Sequence, residues 1–149
     1  MENIDGKDQK ILFTLIEDSS LSTQKIAKKT NIAITTVHNR IRKLRKRGII
    51  KGYTVVLDKK KLGKNIFAYI LVDVDNKTLR AKNMSQEELA KKIKKIELVE
   101  EVSIIGGGAD IIIRVAIEDV EQLNDFIMNK LRALEAVEST KTMIVLKDI

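Results

Sequence analysis

The sequence predicts an α+β protein with two modules: three short helices, then a domain with the element order β-α-β-β-α-β. Residues 1–64 contain 16 Lys/Arg against 6 Asp/Glu, a net charge of +10, whereas residues 65–149 contain 12 against 15, a net charge of −3. Apolar residues follow helical spacing in the first part, and the second part alternates strand-like with helix-like runs. We therefore predict domains at 1–52 and 65–149, joined by a linker or strand at 53–64.

The first two helices are indicated by capping residues and apolar spacing. Asp5 is placed to cap the first helix, with Asp8 three residues later and an apolar set at helical spacing: Ile11, Leu12, Leu15 and Ile16. Ser22 is placed to cap a second helix, whose inward residue is Ile26. The segment Thr30–Ala33 then predicts a short turn.

The third helix, roughly Thr35 to Arg47, carries the main functional prediction. Its apolar stripe is Val37, Ile41 and Leu44, and Gly48 is placed to end it in a left-handed conformation. Hydroxyl and amide side chains lie near its start and cations near its end. Short polar groups and Arg can contact base edges in a major groove, while cations neutralise phosphates. The predicted DNA-binding residues are Thr35, Thr36, His38, Asn39, Arg40, Arg42, Lys43 and Lys46.

Two short helices and a tight turn before such a helix predict a helix-turn-helix. Residues 49–57 fit a short β-hairpin or a single extended strand, which would form a small wing, and 59–63 fit a linker. Protein–protein docking is the alternative function for a basic three-helix unit. His38 has no neighbouring carboxylate in the sequence, so we interpret it as a helix-surface residue that contacts DNA, not as a catalytic base.

The second module alternates strands and helices. Strands are predicted at Asn65–Val74, Val99–Ile105, Asp110–Ile117 and Val137–Lys147, and 75–83 is predicted to be a polar loop. Ser85 and Glu88 form a capping box before a helix that buries Leu89, Ile93 and Ile96. Asp119 caps a second helix with an inward set of Val120, Leu123, Ile127, Leu131 and Leu134. This order predicts a ferredoxin-like antiparallel sheet with both helices on one face.

The first and third strands are apolar on both sides, which two helices on one face cannot cover. An uncovered apolar sheet face indicates an interface. We therefore predict a homodimer, sheet against sheet, which would present two DNA-binding units to a pseudo-palindromic site.

The Gly106–Ala109 turn allows two interpretations. It lacks the dinucleotide-binding spacing and lies in a hairpin, so it is either a flexible turn that needs positive φ or a small-ligand site in which Asp110 would hold an ammonium group. The turn is the simpler interpretation.

Composition excludes several classes of protein. There is no cysteine and one histidine, so no disulfide, thiolate or histidine-cluster metal site is expected, and neither is a Ser-His catalytic pair away from that position. The longest uncharged stretch, ten residues at 30–39, is too short to span a membrane, and the N-terminus lacks a signal-peptide core. We expect a cytosolic protein that is not an enzyme and holds no metal or other cofactor.

Four segments resemble the Lrp/AsnC, or feast/famine, family of transcription regulators: Ile4-Asp5-x-x-Asp8-x-x-Ile11-Leu12-x-x-Leu15, Val37-x-x-Arg40-Ile41-x-x-Leu44-x-x-x-Gly48-Ile49-Ile50-Lys51-Gly52-Tyr53, Gly107-Gly108-Ala109-Asp110 and Glu138-Ser139-Thr140-Lys141-Thr142-x-Ile144-Val145-Leu146. The resemblance implies a regulator that binds double-stranded DNA, forms dimers and possible tetramers or octamers, and often responds to an amino acid. It places an effector near Gly106, Gly107, Gly108, Asp110, Thr140 and Thr142. Alternatives are a DNA-wrapping architectural protein and, with less support, a tetrapyrrole decarboxylase subunit similar to the family.

Overall fold

The computed structural model describes residues 4–147, which form two units that divide between Leu57 and Asp58. The N-terminal unit contains α1 (Gly6–Glu17), α2 (Thr23–Thr30) and α3 (Ile34–Lys46). The three helices confirm the predicted helix-turn-helix arrangement. None of the helices within residues 4–147 is long and apolar enough to cross a membrane.

Local capping fixes where the first two helices begin. The Asp5 carboxylate accepts hydrogen bonds from the backbone N–H groups of Lys7 and Asp8, both at 2.9 Å, and Asp8 completes a capping box. The N–H of Asp8 and the guanidinium of Arg40 lower the pKa of Asp5 below its ordinary value of 3.8. Ser22 caps α2 as the sequence predicts.

The turn between α2 and α3 depends on one left-handed residue. Asn31 has φ 54° and ψ 43°, a conformation that asparagine tolerates better than most residues. The N–H of the next residue, Ile32, donates to the carbonyl of Ala27 at 3.2 Å. Ile32 itself is buried in the core of the three helices. That core contains Ile11, Leu15, Ile26 and Val37. Burial of these side chains holds the three helices together.

The chain leaves α3 through a left-handed glycine but forms no wing strand. Gly48 has φ 71°, and the N–H of Ile49 donates to the Leu44 carbonyl at 3.0 Å, as predicted for the end of this helix. Residues 51–57 have no regular secondary structure, so the predicted hairpin or strand is absent from the described chain. A strand requires a hydrogen-bonded neighbouring strand, and none lies among the described residues 4–57 of this unit. Val56 in this segment is 98% exposed.

The C-terminal unit has the predicted four-stranded sheet. After a 3-10 turn at Lys60–Leu62 come β1 (Ile66–Val74), α4 (Asn76–Ala81), α5 (Gln86–Lys94), β2 (Val99–Ile104), β3 (Ile111–Ile117), α6 (Val120–Asp125) and β4 (Val137–Ile144). The strand order is β2-β3-β1-β4 and every pairing is antiparallel. This is the ferredoxin-like topology, with one extra helix.

That extra helix, α4, corrects the prediction of a polar loop at 75–83. Asp75 caps it by accepting from the Lys77 N–H at 2.8 Å and the Thr78 hydroxyl at 2.6 Å. The Thr78 hydroxyl and the Lys77 N–H, in that order, lower the pKa of Asp75. Leu79 is buried in the sheet core, which attaches the short helix to the rest of the unit.

The last helix departs from regular α geometry. From Phe126 to Leu131 it continues as a π-helical turn, and the N–H of Arg132 donates to the Ile127 carbonyl, five residues earlier, at 2.9 Å. The five-residue spacing brings both Phe126 and Leu131 fully into the core. Val120, which was predicted to face inward, is 64% exposed because the buried face of this helix begins at Leu123.

The two faces of the sheet differ as predicted. Ala68, Ile70 and Val72 on β1 are fully buried under the helices, with the alternate residues of β3. No element of the C-terminal unit's described chain covers the other face, which we call the open face: Phe67, Tyr69, Leu71, Ile112, Arg114 and Ala116. Tyr69, near its centre, remains 36% exposed. The middle of this face is therefore apolar, and polar residues of the edge strands, among them Glu101 and Lys141, flank it.

Candidate nucleic-acid interface and effector site

The structure places most of the predicted DNA-binding residues on the exposed face of α3. Val37 and Leu44 are buried and so orient the opposite side of the helix outward. The exposed residues are Thr35, His38, Asn39, Arg42, Lys43 and Lys46, and Thr36 is half-buried beside them. Arg42 lies within 3.5 Å of the Asn39 side-chain oxygen, so the two side chains with the best base-contacting geometry are neighbours.

Cations concentrate in the last turn of α3. Lys43, Arg45 and Lys46 lie there, where the helix dipole favours positive charge. The Arg45 guanidinium lies 5.9 Å from the centre of the Tyr53 ring, a cation–π distance. Tyr53 therefore holds the start of the irregular segment 51–57 against α3. The resulting surface combines short polar groups at the helix start with cations at its end.

Arg40 differs from the other predicted contacts because its charge is already paired. Its Nη1 donates to Asp5 Oδ2 at 2.6 Å and to Asp8 Oδ1 at 2.9 Å, and its side chain is only 27% exposed. Hydrogen bonds to Asp8 and then Asp5 raise the pKa of Arg40. The guanidinium joins the middle of α3 to the start of α1. An ion-paired and partly buried guanidinium is less available to DNA than the exposed cations of α3, so its predicted DNA contact stays a prediction.

The sequence did not identify Asp5 and Asp8 as functional residues. Both were interpreted as helix-capping residues, which they are, but Asp8 is also buried against Arg40. A buried carboxylate in a strongly basic module is the signal that could have found this contact, since buried charges require partners. The sequence shows both aspartates but not that Asp8 is buried.

The predicted effector residues lie at one end of the sheet. Val72 on β1 pairs with Ile111 of β3 on one side and with Thr140 of β4 on the other. The Gly106–Asp110 turn, which precedes β3, and Thr140 therefore lie at the same end of the sheet. Strands β3 and β4 are two strand spacings apart, about 10 Å. Gly107 has φ 131°, which satisfies the expectation of a turn that needs glycine.

Asp110 is engaged within the fold. Its Oδ2 accepts from the Val74 N–H at 2.8 Å, and its own N–H donates to the Val72 carbonyl at 3.1 Å. Gln86 at the start of α5 donates to the Asp110 carbonyl at 3.4 Å. The carboxylate therefore closes the end of β1, and only its remaining lone pairs would be available to a ligand ammonium group.

The two threonines differ in their surroundings. Both are half-buried, but the Thr140 hydroxyl accepts from Arg132 Nε at 3.0 Å and Thr142 lies opposite Ile70. Gly106, Gly107 and Gly108 are exposed, and no atom lies within 4 Å of where a Cβ would be at any of them. This end of the sheet is therefore open, with main-chain groups accessible at the glycines.

Comparison with known proteins matches both units. Residues 68–149 match the family model described as the Lrp/AsnC ligand binding domain, and residues 4–51 match the model described as winged helix-turn-helix DNA-binding. HTH-type transcriptional regulator FL11 of Pyrococcus furiosus is 36% identical over 144 residues, covering 97% of this chain and 90% of that protein. Regulatory protein AsnC of Haemophilus influenzae is 31% identical, covering 100% and 99%.

Solved structures agree over nearly the whole chain. AsnC of E. coli has a TM-score of 0.83 at 25% identity, covering 98% of this chain and 94% of that one. LrpC of B. subtilis has a TM-score of 0.83 at 27% identity, covering 99% and 97%. Transcriptional regulator NMB0573 of Neisseria meningitidis, solved as an L-Met complex, has a TM-score of 0.89 at 22% identity, covering 99% and 92%, and supports the fold.

Proposed function

This chain belongs to the Lrp/AsnC family of transcription regulators, and we propose that it binds pseudo-palindromic DNA sites as a homo-oligomer whose affinity a small effector modulates. Transcriptional regulation through a helix-turn-helix and a ligand-binding domain follows from family membership. The site type, the assembly and the effector are our proposals. The observation that carries the DNA-binding proposal is the exposed polar face of α3 in a module with a net charge of +10.

For DNA contact, we infer that the start of α3 contacts bases and its end contacts phosphates. Thr35 and Asn39 would contact base edges from the start of the helix, with Arg42 next to Asn39. Lys43 and Lys46 would neutralise phosphates and release counterions, which makes affinity fall with salt. His38 would touch the DNA from the flank of the same surface. Arg40 would fix the angle of the helix from behind.

For assembly, we propose that the open face pairs with the same face of a second copy. A monomer would leave Phe67, Tyr69 and Leu71 against water, and burying such a surface is favourable. Face-to-face pairing obeys two-fold symmetry, which would match the symmetry of a pseudo-palindromic operator. Higher assembly to tetramers or octamers would use other surfaces of the same dimer.

For the effector, we propose a small molecule such as an amino acid near Gly106–Asp110. Support comes from the family domain, which is described as ligand-binding, and from the accessible backbone at the three glycines. Because relatives such as FL11 and AsnC are named as regulators, we propose that the protein acts by binding and not by catalysis, and that it works in the cytosol.

The proposal is tested first by in vitro selection of bound DNA from a random pool. We expect an enriched site with two related half-sites about one or more helical turns apart. A footprint on that site should appear at physiological salt and weaken steeply as salt rises. Enrichment of no site would contradict sequence-specific regulation and would favour a DNA-wrapping architectural protein.

Assembly is tested with Tyr69→Asp, which places a charge at the centre of the open face. Sedimentation should show a dimer for the wild-type protein and a monomer for the variant, with the far-UV spectrum unchanged. Met128→Asp is the matched control, because Met128 is an exposed apolar residue on the helix side of the same unit. A Tyr69→Asp dimer as stable as the wild-type dimer would contradict the proposed interface.

A further inference from the structure

The C-terminal unit contains a second basic surface that the predicted DNA interface does not use. Residues 76–95 contain 7 Lys/Arg against 2 Asp/Glu, a net charge of +5, whereas the rest of residues 65–149 contains 5 against 13, a net charge of −8. The module total of −3 hides this separation. Segregation of charge within a domain indicates a surface for an anionic partner.

Folding places these cations on one exposed surface. Helix α5 buries Leu89, Ala90 and Ile93 against the sheet, which directs its lysines outward. Helix α4 contributes further exposed cations from the segment that the sequence predicted to be a loop. We call the resulting set the α4–α5 surface: Lys77, Arg80, Lys82, Lys91, Lys92 and Lys95.

The centre of the α4–α5 surface is concave. Lys82, Lys91, Lys92 and Lys95 line one depression of about 540 Å³, and Arg80 and Lys91 line an adjoining one of about 660 Å³. Both depressions contain Asn83, a non-glycine residue with φ 49° at the turn between the helices. Asparagine tolerates this left-handed conformation better than most residues, so Asn83 suits the turn.

Some of these cations form ion pairs within the unit and others do not. Lys91 pairs with Glu87 at 2.7 Å, and Lys82 pairs with Glu135. Within residues 4–147, neither Lys92 nor Lys95 has a carboxylate partner. Glu88, the other acid in the depression, is engaged in the Ser85 capping box. Positive charge therefore remains available to a partner.

We propose that the α4–α5 surface binds the phosphate backbone of DNA that flanks the operator. Long, exposed lysines act as point charges that suit an extended row of phosphates, and nothing buried here defines a pocket for a small anion. DNA is the polyanion that the same chain already holds through α3, so its local concentration at a second surface is raised. The inference thus rests on the proposed DNA-binding function and extends the contact beyond the operator.

The test compares two fragments that contain the selected site, one of about 20 base pairs and one of about 80 with random flanks. The wild-type protein should bind the long fragment more tightly and with a steeper salt dependence. In Lys91→Gln/Lys92→Gln/Lys95→Gln, affinity for the short fragment should be unchanged. Affinity for the long fragment should fall about tenfold, with the salt slope reduced by about 2 to 3.

Two further variants separate local charge from other causes. The triple Lys→Arg variant keeps the charge and should bind the long fragment like the wild type. Adding Glu121→Gln, Asp125→Asn and Glu138→Gln to the Lys→Gln variant restores the net charge elsewhere, and the weak binding should persist.

The inference is overturned if the Lys→Gln variant binds the long fragment like the wild type, loses both fragments equally, or recovers when net charge is restored. Failure of the wild-type protein to prefer the short operator fragment over a scrambled one would instead contradict the proposed DNA-binding function. The two failures are therefore distinguishable.

Discussion

Replacing Asp8 by Ala should weaken both the N-terminal unit and its binding to DNA. The Asp8 side chain is 10% exposed, and its Oδ1 accepts from Arg40 Nη1 at 2.9 Å. A charge-assisted hydrogen bond is worth about 1.5–3 kcal/mol. Because the Arg40 side chain is partly exposed and Asp5 still binds it, we expect the free energy of unfolding to fall by about 2 kcal/mol.

The effect on DNA binding has a sign that distinguishes positioning from simple electrostatics. DNA is a polyanion, so removing a carboxylate from the DNA-binding unit should by itself strengthen binding. If the ion pair holds α3 at its working angle, Asp8→Ala should instead weaken binding, by up to about tenfold for 1.4 kcal/mol of lost preorganisation. Fluorescence anisotropy with the selected operator measures the affinity, and urea unfolding followed by circular dichroism measures the stability.

Glu17→Ala is the matched control. Glu17 pairs with Lys29 at 2.5 Å, but both side chains are more than half exposed, so the pair should add less than about 1 kcal/mol. This variant removes the same charge from the same unit and should bind DNA as well as or slightly better than the wild type. If Asp8→Ala behaves like Glu17→Ala in both assays, the ion pair does not position α3.

Three further predictions concern other residues. Arg42→Ala should relax base preference at one position in the selected site; a uniform loss of affinity across sequences would indicate that Arg42 contacts only phosphate. Phe126→Ala should lower the free energy of unfolding by about 3–5 kcal/mol, because this side chain is fully buried, and a much smaller loss in urea would contradict that packing. Backbone N–H groups hold the pKa of Asp5 and Glu88 below 3.8 and 4.5. The stability that these carboxylates contribute is complete above those values and should be lost as the pH falls through the lower folded values, so the free energy of unfolding should begin to decline below about pH 4.

Elements with local signals could be predicted from the sequence. Asp5, Ser22 and Ser85 each cap the helix that follows, and the stripe of α3 is set by side chains within thirteen residues. The open face also follows from alternation along two strands. In each case the deciding interaction lies within a few residues or within one strand.

Elements that depend on one distant contact could not be predicted. Helix α4 has a single buried residue, Leu79, among polar neighbours, so its sequence looks like a loop although Asp75 and Thr78 mark its start. In the last helix, Leu123, Ile127 and Leu131 fit a regular four-residue period, and only the packing of Phe126 reveals the π turn. The predicted hairpin or strand at 49–57 is absent because residues 51–57 have no hydrogen-bonded neighbouring strand among residues 4–57.

The number of charged residues in a module also differs from the number of charges that the fold leaves exposed and unpaired. Arg40 is one of the 16 Lys/Arg of the first module, yet its charge is paired with Asp5 and Asp8, 35 and 32 residues away. Lys92 and Lys95 lie in a module with a net charge of −3, yet they stand among other cations on an exposed surface. Salt dependence of DNA binding counts the phosphates that are contacted, not the formal charge of a module. The slope should therefore respond to Lys92 and Lys95 on long DNA and remain nearly constant when Arg40 is replaced by Met, although the module totals alone would predict the reverse.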